Sequence, residues 1–451
     1  MREMMRRSAL LPCAVIAVSC SSEPPFDLVI ENVAIVDLET GESAVKSIGV
    51  NDERIGEISS TALQGREIIN GAGLWAIPGL WDMHVHISDP SFFDLFVRNG
   101  VVGVRDMGGD AATPGDGCES VNIETLHGWR SEIEAGARIG PRIVAAGPVA
   151  TGNPGPDRLM ATTPEEARAA VAEIERRGGD FVKVYENIPS PAFEALADEA
   201  RRRGLDVAGH VSEETLTIAE AIAAGQRSIE HIRSHLLVCF AEDEAELDAF
   251  YDADAWSGDD RRWGAGHRAY CPEIWESLRN GETWLTPTLA VEMTHYDGEA
   301  AGFEKDPRRA SLPESIRLAV NEFSARLRAR SDKERAEAAA WMPAQFAFVA
   351  RANKEGAPML AGSDAACEGV IPGYGLRDQL RLFVEAGLTP REALRTATTE
   401  PAAYFRSEDD RGRIAVGYDA DIVLLRKNPI DDIRALDEIA VVILRGAVID
   451  Q

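Results

Sequence analysis

A strand followed by a helix recurs along the middle of this chain, and this repeat constrains the fold more than any other feature. Residues 163–178 begin with Thr-Pro-Glu-Glu, a helix-capping sequence with proline in the first turn, and end at a glycine. The apolar stretch 180–185 follows and is typical of a buried strand. Eight such strands are predicted in all, at residues 79–84, 101–106, 142–146, 180–185, 205–210, 228–231, 283–289 and 359–363.

Eight β-α units favour a closed parallel barrel, so the predicted fold class is α/β, a (β/α)8 TIM barrel whose active site lies at the carboxyl ends of its strands. A doubly wound open sheet is the alternative fold. The chain contains neither GxGxxG nor GxxxxGK[ST], the phosphate-binding motifs that often accompany such sheets, and their absence weakens this alternative.

Short alternating apolar patterns near both termini predict a second, smaller unit. Residues 26–58 have the pattern of β-hairpins, and apolar strands are predicted again at 421–425 and 441–444. We therefore expect a small β-sandwich domain built from both termini. The predicted boundaries are 20–75 and 408–451 for the β-sandwich domain and 76–407 for the barrel, with an insertion at 236–282.

The charge of the chain limits its partners. Forty-seven lysines and arginines stand against 75 acidic residues, which gives a formal net charge of −28. A phosphate backbone would be repelled by most of such a surface, so nucleic acid is not an expected partner. We expect a small-molecule substrate.

The first residues resemble an export signal. Arginines at positions 2, 6 and 7 precede a short, mostly apolar run at residues 9–18, and Ser19 precedes Cys20. We predict a lipoprotein-type signal peptide at residues 1–19, lipidation of Cys20, and a periplasmic or outer-membrane-anchored protein that meets the membrane only through its lipid. Ordinary secretion with cleavage nearby is the alternative. Cysteines 118, 239, 271 and 367 would remain, with three possible disulfide pairings.

Several potential metal ligands end predicted barrel strands. His84 and His86 alternate at the end of the first strand, so both imidazoles can lie on one face. His210, His231 and Asp364 end three other strands, and the mouth of a barrel brings such positions together. Imidazole and carboxylate ligands suit zinc or a related divalent ion at a site that keeps a position open for water.

Lys183 lies inside the apolar strand at 180–185, at a position that faces the predicted mouth. Lysines are rarely buried unless they are paired. Burial favours the neutral amine, which can capture carbon dioxide as a carbamate and offer two oxygens to two cations. An ion-paired lysine, or one whose ammonium reaches solvent, is the alternative.

Taken together, these residues resemble the amidohydrolase superfamily, in its branch related to imidazolonepropionases and metal-dependent dipeptidases. The resemblance rests on GLWDMHVH at 79–86, Lys183, His210, Glu-His at 230–231, AGSD at 361–364 and GRIAVGYDADIVL at 412–424. It implies that His84, His86 and Asp364 hold one metal, that His210 and His231 hold a second, and that carboxylated Lys183 bridges two divalent ions, with zinc as the expected metal. It also implies hydrolysis of an amide, peptide or cyclic amide C–N bond by a metal-activated hydroxide, with Asp364 carrying the proton.

The chain departs from the dipeptidase pattern at one turn, which leaves the substrate open. Dipeptidase relatives often carry Gly-Gly-His after the third strand, whereas residues 151–155 contain no histidine. Tyr185 and His235 are candidate substrate contacts. Two other functions remain open: a deaminase with one metal that uses His210 and Glu213 for acid-base chemistry, and a non-catalytic periplasmic binding protein.

Overall fold

The computed structural model describes residues 25–108, 118, 120–155, 157–211, 215–232, 271–297 and 305–449. The predicted signal peptide, Cys20, Glu213, His235 and most of the predicted insertion lie outside these residues. None of the helices in the described ranges is both long enough and apolar enough to cross a membrane.

Seven parallel strands and one further parallel segment form the barrel, and two short strands, β9 and β10, pair beside them. Strands β6, β7 and β8 pair in parallel in that order. Strands β11, β12, β13 and β14 form a second parallel series. The short strand β9 pairs with β11 on one side and with β10 on the other. The bounds are β6 Leu80–Val85, β7 Val101–Asp106, β8 Arg142–Ala145, β9 Ala150–Thr151, β10 Leu159–Met160, β11 Val182–Val184, β12 Val207–Gly209, β13 Gln226–Glu230 and β14 Trp284–Thr286.

Isolated parallel bridges connect the two series into a ring. Ala146 pairs with Phe181, Leu285 pairs with Met359, and Val85 pairs with Ala365. The segment from Met359 onward therefore takes the place of the eighth strand between β14 and β6. Its backbone is held on both sides, since Leu360 N–H donates to Leu285 O at 2.8 Å and Met83 N–H donates to Ala361 O at 2.9 Å. The predicted (β/α)8 barrel is confirmed.

Helices follow the barrel strands. Their bounds are α1 Phe92–Arg98, α2 Ile123–Glu134, α3 Pro164–Arg176, α4 Ser190–Arg203, α5 Ile218–Ala224, α6 Cys271–Arg279, α7 Leu289–Asp297, α8 Glu314–Arg328, α9 Asp332–Glu355, α10 Tyr374–Glu385, α11 Pro390–Thr396 and α12 Thr399–Tyr404.

Local sequence explains where these helices begin and end. Thr163 and Glu166 form the predicted capping box at the start of α3. Helix α4 ends at Gly204, whose φ of 74° lies in the left-handed region that glycine adopts without strain. Ser190 is the first helical residue of α4 rather than its cap, because Pro189 occupies the cap position.

Strands from both ends of the chain form a second, smaller unit, as the sequence predicts, and within it they pair into one continuous eight-stranded sheet. The order is β17-β16-β15-β5-β1-β2-β3, and β4 pairs with β1. The bounds are β1 Phe26–Val36, β2 Ser43–Asn51, β3 Arg54–Ser59, β4 Gly65–Asn70, β5 Trp75–Pro78, β15 Ile422–Leu425, β16 Ile439–Leu444 and β17 Ala447–Ile449. Buried aliphatic side chains from its N-terminal and C-terminal strands pack into a core of their own, including Ile30, Ile48 and Leu424.

Candidate metal centre

The predicted metal ligands meet at the mouth of the barrel. Each lies within or directly after a parallel segment, at its carboxyl end, because parallel strands of a closed barrel all finish on the same side. His84, Lys183, His210 and Asp364 are buried, and His86 and His231 are partly buried. The structure therefore brings together all six residues that the sequence pointed to: His84, His86, Lys183, His210, His231 and Asp364.

His84, His86 and Asp364 form a compact set of donors. One ligand atom from each lies within 4.8 Å of the others. Asp364 Oδ1 is 3.4 Å from His84 Nε2 and 3.1 Å from His86 Nε2. Two imidazole nitrogens and one carboxylate oxygen match the donors that zinc accepts at catalytic sites, so these residues fit a divalent cation.

A buried ion pair sets the orientation of His84. The Nδ1–H of His84 donates to Glu230 Oε2 at 2.8 Å, which leaves the Nε2 lone pair directed at the donor set. Arg105 Nη2 donates to Glu230 Oε1 at 2.8 Å. Burial alone would raise the pKa of Glu230, but the charge of Arg105 and the hydrogen bond from His84 hold that pKa well below its usual range. Glu230 is therefore an ionised acceptor for His84.

Arg105 was not among the residues singled out from the sequence. It is fully buried on β7 and donates to Met83 O at 2.6 Å, to Ser228 Oγ at 2.8 Å and to Tyr404 Oη at 2.9 Å. The sequence did contain a signal for this residue. Arg105 is a charged residue within an apolar barrel strand, as Lys183 is.

The Asp364 carboxyl is surrounded by imidazoles. Burial would raise its pKa, but the nearby rings of His84, His86 and His231 hold the pKa well below its usual range. The side chain of Asp364 is therefore a carboxylate.

Lys183, His210 and His231 form a second group beside the first. The ring centroids of His210 and His231 are 4.9 Å apart, and the His231 ring is also 4.9 Å from that of His84. His231 Nδ1 lies 2.7 Å from Thr288 Oγ1, a hydrogen bond that fixes the ring. Lys183 is 2% exposed in the middle of β11. This group contains two imidazoles and an amine, and two carboxylates lie near it: Glu186 Oε1 is 3.6 Å from His210 Nδ1, and Asp364 Oδ2 is 3.9 Å from His231 Nδ1.

Unusual backbone conformations aim two of the ligands. His231 and Asp364 have φ angles of 65° and 62°, in the left-handed region where residues other than glycine are uncommon. Such strained conformations cluster at functional sites, where the surrounding structure holds them in place. The backbone beside His210 is also closely packed. A Cβ at Gly209 would lie 2.1 Å from Val184 O, so only glycine fits at that position.

A disulfide lies next to the mouth. Cys118 is bonded to Cys367, three residues after Asp364, so the loop that follows β7 is tied to the segment that carries a metal ligand. Of the pairings that the sequence left open, this one is formed. Cys239 lies outside the described residues.

Of the two candidate substrate contacts, the structure describes one. Tyr185 directly follows β11 and packs on His210, with ring centroids 4.2 Å apart. Its position at the mouth is consistent with the predicted role. His235 lies in the part of the chain that the structure does not describe, as does Glu213, on which the deaminase alternative depends.

The barrel and its cluster of histidines and carboxylate define a metal-dependent barrel enzyme. The chain belongs to the Amidohydrolase family, whose sequence model matches residues 75–245 and 311–449. Ochratoxinase of Aspergillus niger is 23% identical over 429 residues, which cover 80% of this chain and 72% of the relative. The adenine deaminase of Thermosipho melanesiensis is 36% identical over 91 residues, 19% of this chain and 16% of the relative. A crystal structure from Bifidobacterium longum, described as a prolidase, has a TM-score of 0.68 at 23% identity and covers 95% of both chains.

The family and the site together give the class of reaction. The protein is a metal-dependent hydrolase that acts on carbon–nitrogen bonds of amides. The similarity to the prolidase structure confirms the fold. The match to the adenine deaminase is limited to about a fifth of each chain and carries no statement about activity.

Proposed function

We propose that this protein hydrolyses an amide bond at a binuclear zinc centre in which Lys183 is carboxylated. The observation that carries the proposal is the burial of Lys183 beside the histidines: its Nζ lies 6.0 Å from the centroid of the Tyr185 ring, which packs on His210, and its charge acts on His84. His84, His86 and Asp364 would hold the first cation, His210 and His231 would hold the second, and the Lys183 carbamate would bridge them.

The composition of the second group supports carboxylation. An ammonium carries the same sign of charge as a metal and cannot bind it, whereas a carbamate is anionic and offers two oxygens. It forms when the neutral Nζ attacks carbon dioxide: a new N–C bond is made and one proton leaves the nitrogen. The carbamate would supply an anionic donor from the same strand as Lys183, in addition to the Glu186 and Asp364 carboxylates near His210 and His231.

The protein's own residues then have distinct roles. Bound cations would lower the pKa of a water molecule and polarise the substrate carbonyl. Asp364, whose Oδ1 lies within hydrogen-bond distance of His84 Nε2 and His86 Nε2, would accept the proton from water and pass it to the leaving nitrogen. Glu230 keeps His84 in the tautomer that presents Nε2, and Tyr185 contributes a wall against which substrate can pack.

Metal analysis of the purified protein tests the binuclear centre. With zinc and bicarbonate supplied, we expect about two divalent ions per chain, as in other two-metal hydrolytic sites. Lys183→Ala should lose one or both ions and most of the activity. Lys427→Ala, which removes an exposed lysine of the terminal sheet region, should keep both ions. Full activity of Lys183→Ala, independent of bicarbonate, would contradict the binuclear proposal and favour a site with one metal.

A substrate screen is needed to find the scissile bond. The screen should contain carbonyl compounds that a metal-activated hydroxide can attack, assayed with zinc and bicarbonate. These are N-acyl amino acids, Xaa-Pro dipeptides, lactones and cyclic ureides. Ammonia release from adenine in the same screen tests the deaminase alternative.

We also propose that the protein is exported and anchored by a lipid on Cys20. The support is the sequence of the first 20 residues, and the test is metabolic labelling. Labelled fatty acid should enter the wild type and not Cys20→Ser. An unlabelled wild-type protein in the soluble fraction would contradict this proposal.

A further inference from the structure

Arg158 lies at the barrel mouth beside the metal centre. Its guanidinium carbon is 5.4 Å from the ring centroid of Tyr185, and the same Tyr185 ring packs against His210 at 4.2 Å. One aromatic ring therefore separates the positive charge of Arg158 from a residue that we assign to the second cation.

Short strands hold Arg158 at this position. It directly precedes β10, which pairs with β9, and β9 in turn pairs with β11, the strand of Lys183. The loop between β9 and β10 is tied to the residues after Tyr185, since Gly152 N–H donates to Glu186 O and Asn187 donates to Asn153 Oδ1, both at 2.8 Å. The side chain of Arg158 also lies across Gly155, where a Cβ would be 2.8 Å from Arg158 Cδ.

Within the described residues Arg158 takes part in no ion pair. Acidic residues outnumber lysines and arginines by 75 to 47, so a carboxylate partner is easily found. Among the arginines on nearby elements, Arg168 on α3 donates to a backbone oxygen, Pro164 O, and these have carboxylate partners: Arg130, Arg138, Arg142, Arg176, Arg177, Arg201, Arg202 and Arg203. Arg158 is half-buried, and its positive charge is available to a ligand at the mouth.

We infer that Arg158 binds a carboxylate of the substrate, so that the substrate is an amide with a free carboxylate close to the scissile bond, such as an N-acyl amino acid. The planar guanidinium suits a carboxylate because it can donate two parallel hydrogen bonds. A local positive charge is also needed, because an anionic substrate is repelled by the rest of this acidic protein. The loop that lacks the dipeptidase histidine thus supplies an arginine instead.

This inference rests on the proposed amide hydrolysis, and paired substrates separate the two. The substrates are N-acetyl derivatives of alanine, leucine, phenylalanine and proline, each as the free acid and as the carboxamide, with acetate release as the readout. The zinc-loaded wild type should prefer the acids. Arg158→Gln should lower kcat/KM for the acids about 10- to 100-fold, the loss expected for one hydrogen-bonded charge pair, mainly by raising KM.

The carboxamides provide the specificity readout. Arg158→Gln should leave their kcat/KM little changed, and Arg158→Lys should retain part of the preference for acids because it keeps the charge. Arg168→Gln, on the exposed face of α3, is the matched control and should behave as the wild type. Added salt should raise KM of the wild type for acids and not for carboxamides, a test that needs no variant.

Each contrary result points to a different error. Equal losses on acids and carboxamides in Arg158→Gln, or equal wild-type turnover of both, would overturn the role of Arg158 and leave amide hydrolysis standing. Absence of acetate release from every substrate by the zinc-loaded wild type would overturn the proposed function itself.

Discussion

The two halves of the barrel mouth differ in how their ligands are supplied. On the side of β6, His84, His86 and Asp364 bring three donor atoms within 4.8 Å of one another without any further chemistry. On the side of β11 to β13, His210 and His231 are close to each other, but the third residue of that half is Lys183, an amine. The first half is a preformed set of metal-binding side chains, whereas on our proposal the second would depend on carboxylation of Lys183.

This difference predicts unequal sensitivity to conditions. The first cation should bind with an affinity set by the geometry of the folded protein, and the second with an affinity that depends on bicarbonate. Removing bicarbonate should therefore lower occupancy of the second site and leave the first occupied.

The largest expected effect comes from changing Asp364, which belongs to the preformed half. Asp364→Asn keeps an oxygen ligand but removes the base, so we expect retained metal and a kcat lower by about 10² to 10⁴, the range for acid-base catalysis. Steady-state kinetics and metal analysis of the same sample check this. Asp378→Asn, which changes a partly buried carboxylate on α10 that pairs with Arg308, is the control for loss of charge.

Near-normal turnover by a metal-loaded Asp364→Asn protein would make Asp364 a ligand only. The proton would then need another carrier, and Glu213 and His235 would be the next residues to change. The preformed half would in that case hold a metal without doing proton chemistry.

A smaller effect is expected from Glu230, which orients His84 through Nδ1. Glu230→Gln should weaken metal binding at the first site by about 10- to 100-fold, because the partner that holds the histidine ligand loses its charge. Metal titration against a competing chelator measures this. Glu199→Gln, which removes a carboxylate paired with Arg203 on α4, should leave the affinity unchanged.

The second site provides the internal comparison for Glu230→Gln. His231 is fixed by Thr288 rather than by Glu230, so the second cation should be less affected. Equal weakening of both cations would mean that Glu230 and Arg105 support the whole barrel interior rather than one ligand.

The smallest effect on activity is expected from the disulfide. The double variant Cys118→Ser/Cys367→Ser should lower the free energy of unfolding by about 2–4 kcal/mol, because the cross-link restricts the unfolded chain. Urea denaturation measures the loss. Metal binding by the preformed half should weaken only slightly, since the ligands are also held by barrel hydrogen bonds such as Asp364 N–H to His84 O at 2.8 Å.

A reductant separates this effect from a mutational one. The wild type treated with dithiothreitol should match the double variant, and the double variant should not respond to dithiothreitol. Loss of the first metal on reduction would instead show that the disulfide is needed to hold Asp364 in place.

Much of the fold could be predicted because its causes are local. The capping box at Thr163 and the glycine after α4 determine helix ends through interactions within a few residues. Each β-α unit also produces its own pattern of apolar residues, so the strand count could be read without knowledge of contacts. The observed strands are shorter than predicted at several places, as at β14, because pairing stops where the backbone turns into the mouth.

The metal ligands could be predicted for a related reason. A barrel places the carboxyl end of every strand on one side, so His84, Lys183 and Asp364 could be grouped without a distance between them. The site was therefore deduced from positions along the chain together with one rule of topology.

By itself, the sequence determined the order of strands and helices, the barrel, and the residues that surround the metal centre. Only the tertiary structure decided how those residues are held: the ion pair between Arg105 and Glu230, 125 residues apart, the disulfide between Cys118 and Cys367, and the stacking of Arg158 on Tyr185. The physical reason is that helix caps and apolar periods arise from neighbours along the chain, whereas these contacts join side chains that become neighbours only when the ring of strands closes.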